Sequence, residues 1–155
     1  MALRNKILGK LGEKIAENHL IKSGYIIEFK NFRCKFGEVD IIAKKDNNLI
    51  FIEVKTRTSK NYGYPVESIS RIKIRKIKNV VDFFLVNNKK YFNFNIRLDC
   101  IFIFLKREFF NSIFNKNNAE NNRNSINNFI ISNVCNGKKF FNNKNIILEH
   151  IKNTV

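Results

Sequence analysis

The chain has 155 residues, 29 of them Lys or Arg against 13 Asp or Glu, for a formal net charge of +16. That length fits one domain, and 44% hydrophobic residues are enough to fill a core, which excludes wholesale disorder. No apolar run reaches the ~18 residues of a membrane span, and the basic N-terminal ten residues lack the apolar stretch of a secretory signal, so the expectation is a cytoplasmic protein with no membrane partner.

Residues 4–22 place Leu8, Leu11, Ile15 and His19 at helical spacing with Ala16 and Leu20 alongside, and Gly24 stops the run. Residues 25–32, 39–43 and 49–56 read as three strands, the last two joined by the turn residues Asp46-Asn47-Asn48. After Gly63-Tyr64-Pro65 a long helix is expected, with Pro65 near its start and Ile69, Ile72, Val80 and Phe84 on one face. Residues 96–105 form a strongly apolar strand interrupted by Asp99. The order α-β-β-β-α-β predicts an α/β fold in which a three-stranded meander is followed by a crossover helix and a further strand. Composition changes near residue 106: 15 of the 26 asparagines fall in 106–155. Asparagine is a weak former of helices and strands, so the expected division is a domain over 1–105 and an Asn-rich extension over 106–155, weakly ordered or carrying a short helix at 145–152.

Net charge is a modest argument for a polyanion partner. Phe, Ile, Asn and Lys, all with A/T-rich codons, make up 86 of the 155 residues, and Lys outnumbers Arg 21 to 8. Codon drift yields such a profile without selection for phosphate, for which Arg is the better bidentate reader. Cys34, Cys100 and Cys135 have no C-x-x-C spacing and suggest neither a disulfide framework nor a zinc knuckle; Cys100 reads as a buried small hydrophobe. His19 and His150 lie far apart without an evident second ligand and read as surface or helix-packing residues.

The informative anomaly is acid inside strands. Asp40 follows Gly37-Glu38-Val39 and precedes Ile41-Ile42; Glu53 sits in Ile50-Phe51-Ile52-Glu53-Val54-Lys55. Side chains alternate along a strand, so Glu53 and Lys55 share a face, and the hairpin lets Asp40 approach them. Two carboxylates suit Mg²⁺, which takes one or two of them plus water and substrate phosphate oxygens. Such an ion offsets phosphodiester charge and acidifies water, while an ammonium at Lys55 would orient that water or stabilise charge growing on phosphorus. The competing reading is a solvated hairpin face with a surface Glu53–Lys55 ion pair of small energy.

The motifs Gly9-x-x-Gly12-Glu13-x-x-Ala16, Gly24-Tyr25, Asn31, 37–43 and 51–57, followed by Gly63-x-Pro65, Lys73 and Arg97-Leu98-Asp99, occur in order. Over residues 8–105 the chain thereby resembles the YraN-like family, small bacterial proteins predicted to have the restriction-endonuclease-like fold. The resemblance implies a mixed sheet flanked by helices, with Asp40, Glu53 and Lys55 matching a PD-(D/E)xK nuclease signature. It further implies Glu13 as an acid able to reach a Mg²⁺ or Mn²⁺ held by Asp40 and Glu53, and Lys73 and Arg57 as phosphate contacts. For Glu13 and Lys73 the alternative is an ordinary helix-surface charge, and Asp99 reads as structural, closing a buried hydrogen bond. At Val80-Val81-Asp82-Phe83 the chain departs from the small residues usual in the family, a change of packing. The expectation is a metal-dependent nuclease acting on DNA without a small-molecule cofactor. The alternatives are a non-catalytic nucleic-acid-binding module on the same fold and a basic adaptor protein.

Overall fold

A computed structural model describes residues 2–58, 71–119 and 145–152. Helix α1, Ala2–Lys22, buries Ile7, Leu11, Ile15, Ala16 and Leu20 along one stripe. It stops where expected: Gly24 takes φ +80°, and the N–H of Tyr25 turns back to Leu20 O at 3.0 Å.

Five strands follow in the order β1-β2-β3-β4-β5: β1 Ile26–Cys34, β2 Gly37–Lys45, β3 Asn48–Arg57, β4 Asn95–Leu105 and β5 Ile146–Ile151. All neighbours are antiparallel except β3 and β4, which run parallel from Asn48↔Asn95 to Arg57↔Phe104. A parallel pair cannot be joined by a hairpin, and the crossover carries helix α2, Arg71–Asn87, and a 3-10 turn at Lys89–Tyr91. Helix α3, Arg107–Ala119, follows β4.

Strand alternation divides the core into two layers. Ile41, Ala43, Ile50, Ile52, Ile101 and Ile103 pack under α1, joined by Phe110 and Ile113 of α3 and Ile146 of β5. On the other face Val39, Ile42, Leu49 and Phe51 pack against Ile77, Val80 and Phe84 of α2. The departure at Val80 and Phe83 is absorbed here: Val80 is fully buried, and Phe83 stacks edge-on against Phe36.

The mixed α/β architecture and the order of the first six elements agree with expectation. Ile72 does not: it is 63% exposed, because it lies about 100° round the helix from the stripe of Ile77, Val80 and Phe84. Ile69 and Pro65 lie outside the described residues. The expected short helix at 145–152 is instead a strand. The apolar run of β4 is buried on both faces, so its free edge needs a hydrogen-bonding partner, and Ile146–Ile151 pairs along Cys100–Leu105. The stretch read as weakly ordered also contributes α3. Arg4 of α1 bonds Asn111 and lies over the rings of Phe110 and Phe114, tying that helix to the first.

Candidate active site

The β2–β3 ladder runs from Lys45↔Asn48 to Ile41↔Ile52 and ends there. Beyond that point the strands part, and the Val54 N–H donates to Asp40 Oδ2 at 2.7 Å instead of to a β2 carbonyl. A carboxylate thus replaces a ladder bond and holds the end of the hairpin open.

Alternation puts Glu53 on the α2 face with Leu49 and Phe51, and Lys55 beside it. Glu53 is only 4% exposed. Its Oε1 accepts from Lys55 Nζ at 2.7 Å and from Lys73 Nζ, on the first turn of α2, at 3.0 Å. Its Oε2 is buried without a hydrogen-bond partner among the described residues. A buried carboxylate oxygen left bare is costly and calls for a ligand.

Asp40 stands close enough to feel this charge. Burial first, then the Glu53 and Glu13 carboxylates, push its carboxyl up to about 6, against the opposing pull of the Val54 N–H and Lys55. Glu13 comes from α1, where its Oε2 accepts from Asn31 Nδ2 at 3.3 Å; Asn31 sits opposite in the left-handed region at φ 52°. The close seating of α1 depends on Gly12, where a Cβ would fall 1.7 Å from Thr56 Oγ1. A cleft of about 300 Å³ opens beside this contact, lined by Asn5, Gly9, Glu13, Thr56 and Arg57 among others.

The structure therefore gathers Asp40, Glu53, Lys55 and Lys73 at the parted strand end, with Glu13 at charge-coupling range and Arg57 in the adjoining cleft. Lys73, expected at phosphate, is engaged with Glu53. Among the described residues no three His, Cys, Asp or Glu side chains form a ready-made metal cage. The donor set still fits Mg²⁺ or Mn²⁺: it is all oxygen, it includes the Glu53 Oε2 that has no partner among the described residues, and a cation would offset the Glu53 and Glu13 charges that add to burial in raising Asp40.

A second polar cluster was not foreseen. His19 and His150, read as unrelated packing residues, meet with Nε2 and Nδ1 3.3 Å apart. His150 Nε2 lies 2.9 Å from Asp99 Oδ2, and Arg97 clamps the same carboxylate through Nε and Nη2, both at 2.9 Å, while also bonding Tyr25 Oη at 3.0 Å. Burial, then the neighbouring His150 and Lys152, push His19 down to about 4. Asp99 is fully buried and closes hydrogen bonds as the sequence suggested; the spacing of Arg97 and Asp99 on one strand face was the available signal. Reading 145–152 as a helix hid His150 from it. Cys100 is buried as expected, and Cys135 lies outside the described residues.

Fold and site together define a small mixed-sheet α/β protein with an acid pair and two ammonium groups at the end of a parted hairpin. The pattern of the uncharacterised protein family UPF0102 matches residues 12–103, and the chain belongs to that family, the YraN family that its motifs resemble. A UPF0102 protein of Clostridioides difficile is 42% identical over 113 residues, covering 73% of this chain and 98% of the relative. Similar proteins from Caldicellulosiruptor saccharolyticus and Clostridium kluyveri are 45% and 48% identical over 103 and 97 residues, covering 66% and 63% of this chain and 86% and 79% of theirs. Among the described residues no helix is long and apolar enough to cross a membrane.

Proposed function

We propose that this protein is a Mg²⁺- or Mn²⁺-dependent nuclease of restriction-endonuclease-like fold that hydrolyses phosphodiester bonds of DNA in the cytoplasm. The observation that carries the reading is Glu53: a nearly fully buried carboxylate with one oxygen on Lys55 and the other bare, beside an Asp40 whose own carboxyl is raised. A solvated hairpin face would not bury Glu53. Asp40 and Glu53 would hold the ion, with Glu13 bearing on it from α1. When bound, the ion supplies a Lewis acid for a phosphate oxygen and a more acidic water.

The chain's own groups do the rest. Lys55 orients the attacking water through its ammonium and offsets the negative charge that develops on the phosphoryl oxygens. Lys73, displaced from Glu53 by substrate, and Arg57 at the cleft bind flanking phosphates. Without a cation the acids would repel DNA; with it, the two lysines turn the strand end electropositive.

A second reading, a non-catalytic DNA-binding module, is favoured by the two ammonium groups already sharing Glu53 Oε1, which neutralise it without metal. Cleavage of duplex, single-stranded and branched DNA in Mg²⁺, Mn²⁺ or EDTA separates the two. The nuclease reading expects metal-dependent cutting that Asp40→Ala, Glu53→Ala and Lys55→Ala each abolish. Equal cutting by wild type and variants sinks it, and salt-sensitive binding without cutting supports the module.

A further inference from the structure

The His19–His150 cluster lies outside the site described above and has no part in that chemistry. Its geometry follows from its partners. Asp99 is fully buried and receives two N–H bonds from Arg97, so it is ionised and only accepts. His150 therefore donates to it from Nε2, and its Nδ1 faces His19 Nε2. The two rings meet at an interplanar angle of 78° with centroids 5.4 Å apart.

The separation of the two nitrogens, 3.3 Å, lies at the long end of hydrogen-bonding distance. It matches two imidazoles on one tetrahedral ion, where bonds of ~2.0–2.1 Å put the nitrogens roughly 3.3 Å apart. Behind His150 stands the carboxylate that fixes its tautomer and ring orientation, the arrangement that metal-ligating histidines ordinarily require. Arg97 holds that carboxylate in turn, so the support is rigid.

We infer that His19 and His150 form a second metal site, selective for a divalent transition metal such as Zn²⁺ or Cu²⁺, with water completing the coordination. Asp99 is its positioning residue. Imidazole donors favour these ions over Mg²⁺, so the site is chemically separate from the all-oxygen Asp40–Glu53 pair. His19 lies in the last turn of α1 and His150 sits on edge strand β5, so an ion there would clamp that strand to the helix. Two protein ligands, with Lys152 close by, set a modest affinity that depends on both rings.

The test uses the full chain with Zn²⁺ in calorimetry and Cu²⁺ in electron paramagnetic resonance. One ion should bind, with two nitrogens coupled to copper and with a rise in melting temperature. His19→Gln changes a half-buried ring; with the fold verified by circular dichroism, it should lower affinity at least tenfold and leave one coupled nitrogen. Asp99→Asn, if folded, should keep two coupled nitrogens while weakening binding about 10–100-fold, which a merely structural role would not separate. Asp40→Asn with Glu53→Gln should leave Zn²⁺ binding unchanged. Absence of saturable binding, binding indifferent to His19→Gln, or loss of binding in the Asp40/Glu53 variant would each overturn the assignment.

Discussion

Asp40 offers a test of the site's electrostatics that needs no substrate. Its carboxyl is raised from 3.8 to about 6, first by burial and then by the Glu53 charge. Below pH ~3.8 both folded and unfolded chains carry the proton, and no penalty exists. Between there and pH 6 the unfolded chain ionises first, so the folded state binds more protons and stability falls as pH rises; above pH 6 the penalty is complete. A shift of about 2 units corresponds to about 3 kcal/mol, and solvent screening of a half-buried group reduces this to about 1–2 kcal/mol. Asparagine keeps an acceptor for the Val54 N–H but removes the charge. In EDTA, Asp40→Asn should therefore be more stable than wild type by about 1–2 kcal/mol at pH 7.5, with the gap closing by pH 4. Urea unfolding at both pH values reads this directly. A gap of the same size at both, or a variant less stable than wild type at pH 7.5, would refute the account of Asp40 as a destabilised anion.

Gly12→Ala should cost about 1–3 kcal/mol, because its methyl would collide with Thr56 where α1 rests on β3; Thr56→Ala in the same chain should restore part of that in thermal unfolding. Phe84→Ala should cost about 3–5 kcal/mol in denaturant unfolding, since this buried ring packs edge-on against Phe29, Phe32 and Phe51. If DNA is the ligand, Arg57→Ala should reduce the slope of log affinity against log salt by about 1, measured by fluorescence anisotropy; an unchanged slope removes Arg57 from the phosphate contacts.

The hydrophobic periods and the turn residues sufficed for the first six elements, because each is a local signal. Gly24 ends α1 through its own backbone conformation, and the alternation of 49–56 already sets Glu53 and Lys55 on one face. Likewise the carboxylates at 40 and 53 stood out because each opposes the preference of the strand around it. Residues 146–151 were illegible for the opposite reason. Their β-strand character comes from the unpaired edge of β4, which the local sequence does not contain, and their asparagine-rich surroundings offer no competing cue. The same gap concealed the meeting of His19 with His150 across 131 residues. Ile72 was misplaced because helical spacing alone does not say which stripe the sheet will cover.

By itself, then, the sequence determined the element order, the α/β class and the acid–acid–lysine set at the strand ends, since all follow from periods of two and 3.6 residues and from charge placed against them. Only the tertiary structure decided that the β2–β3 ladder stops at Ile41↔Ile52 with Asp40 capping Val54 N–H, and that Lys73 joins Lys55 on Glu53. These depend on how far two strands diverge and where a helix lands, which long-range packing sets and no local pattern encodes.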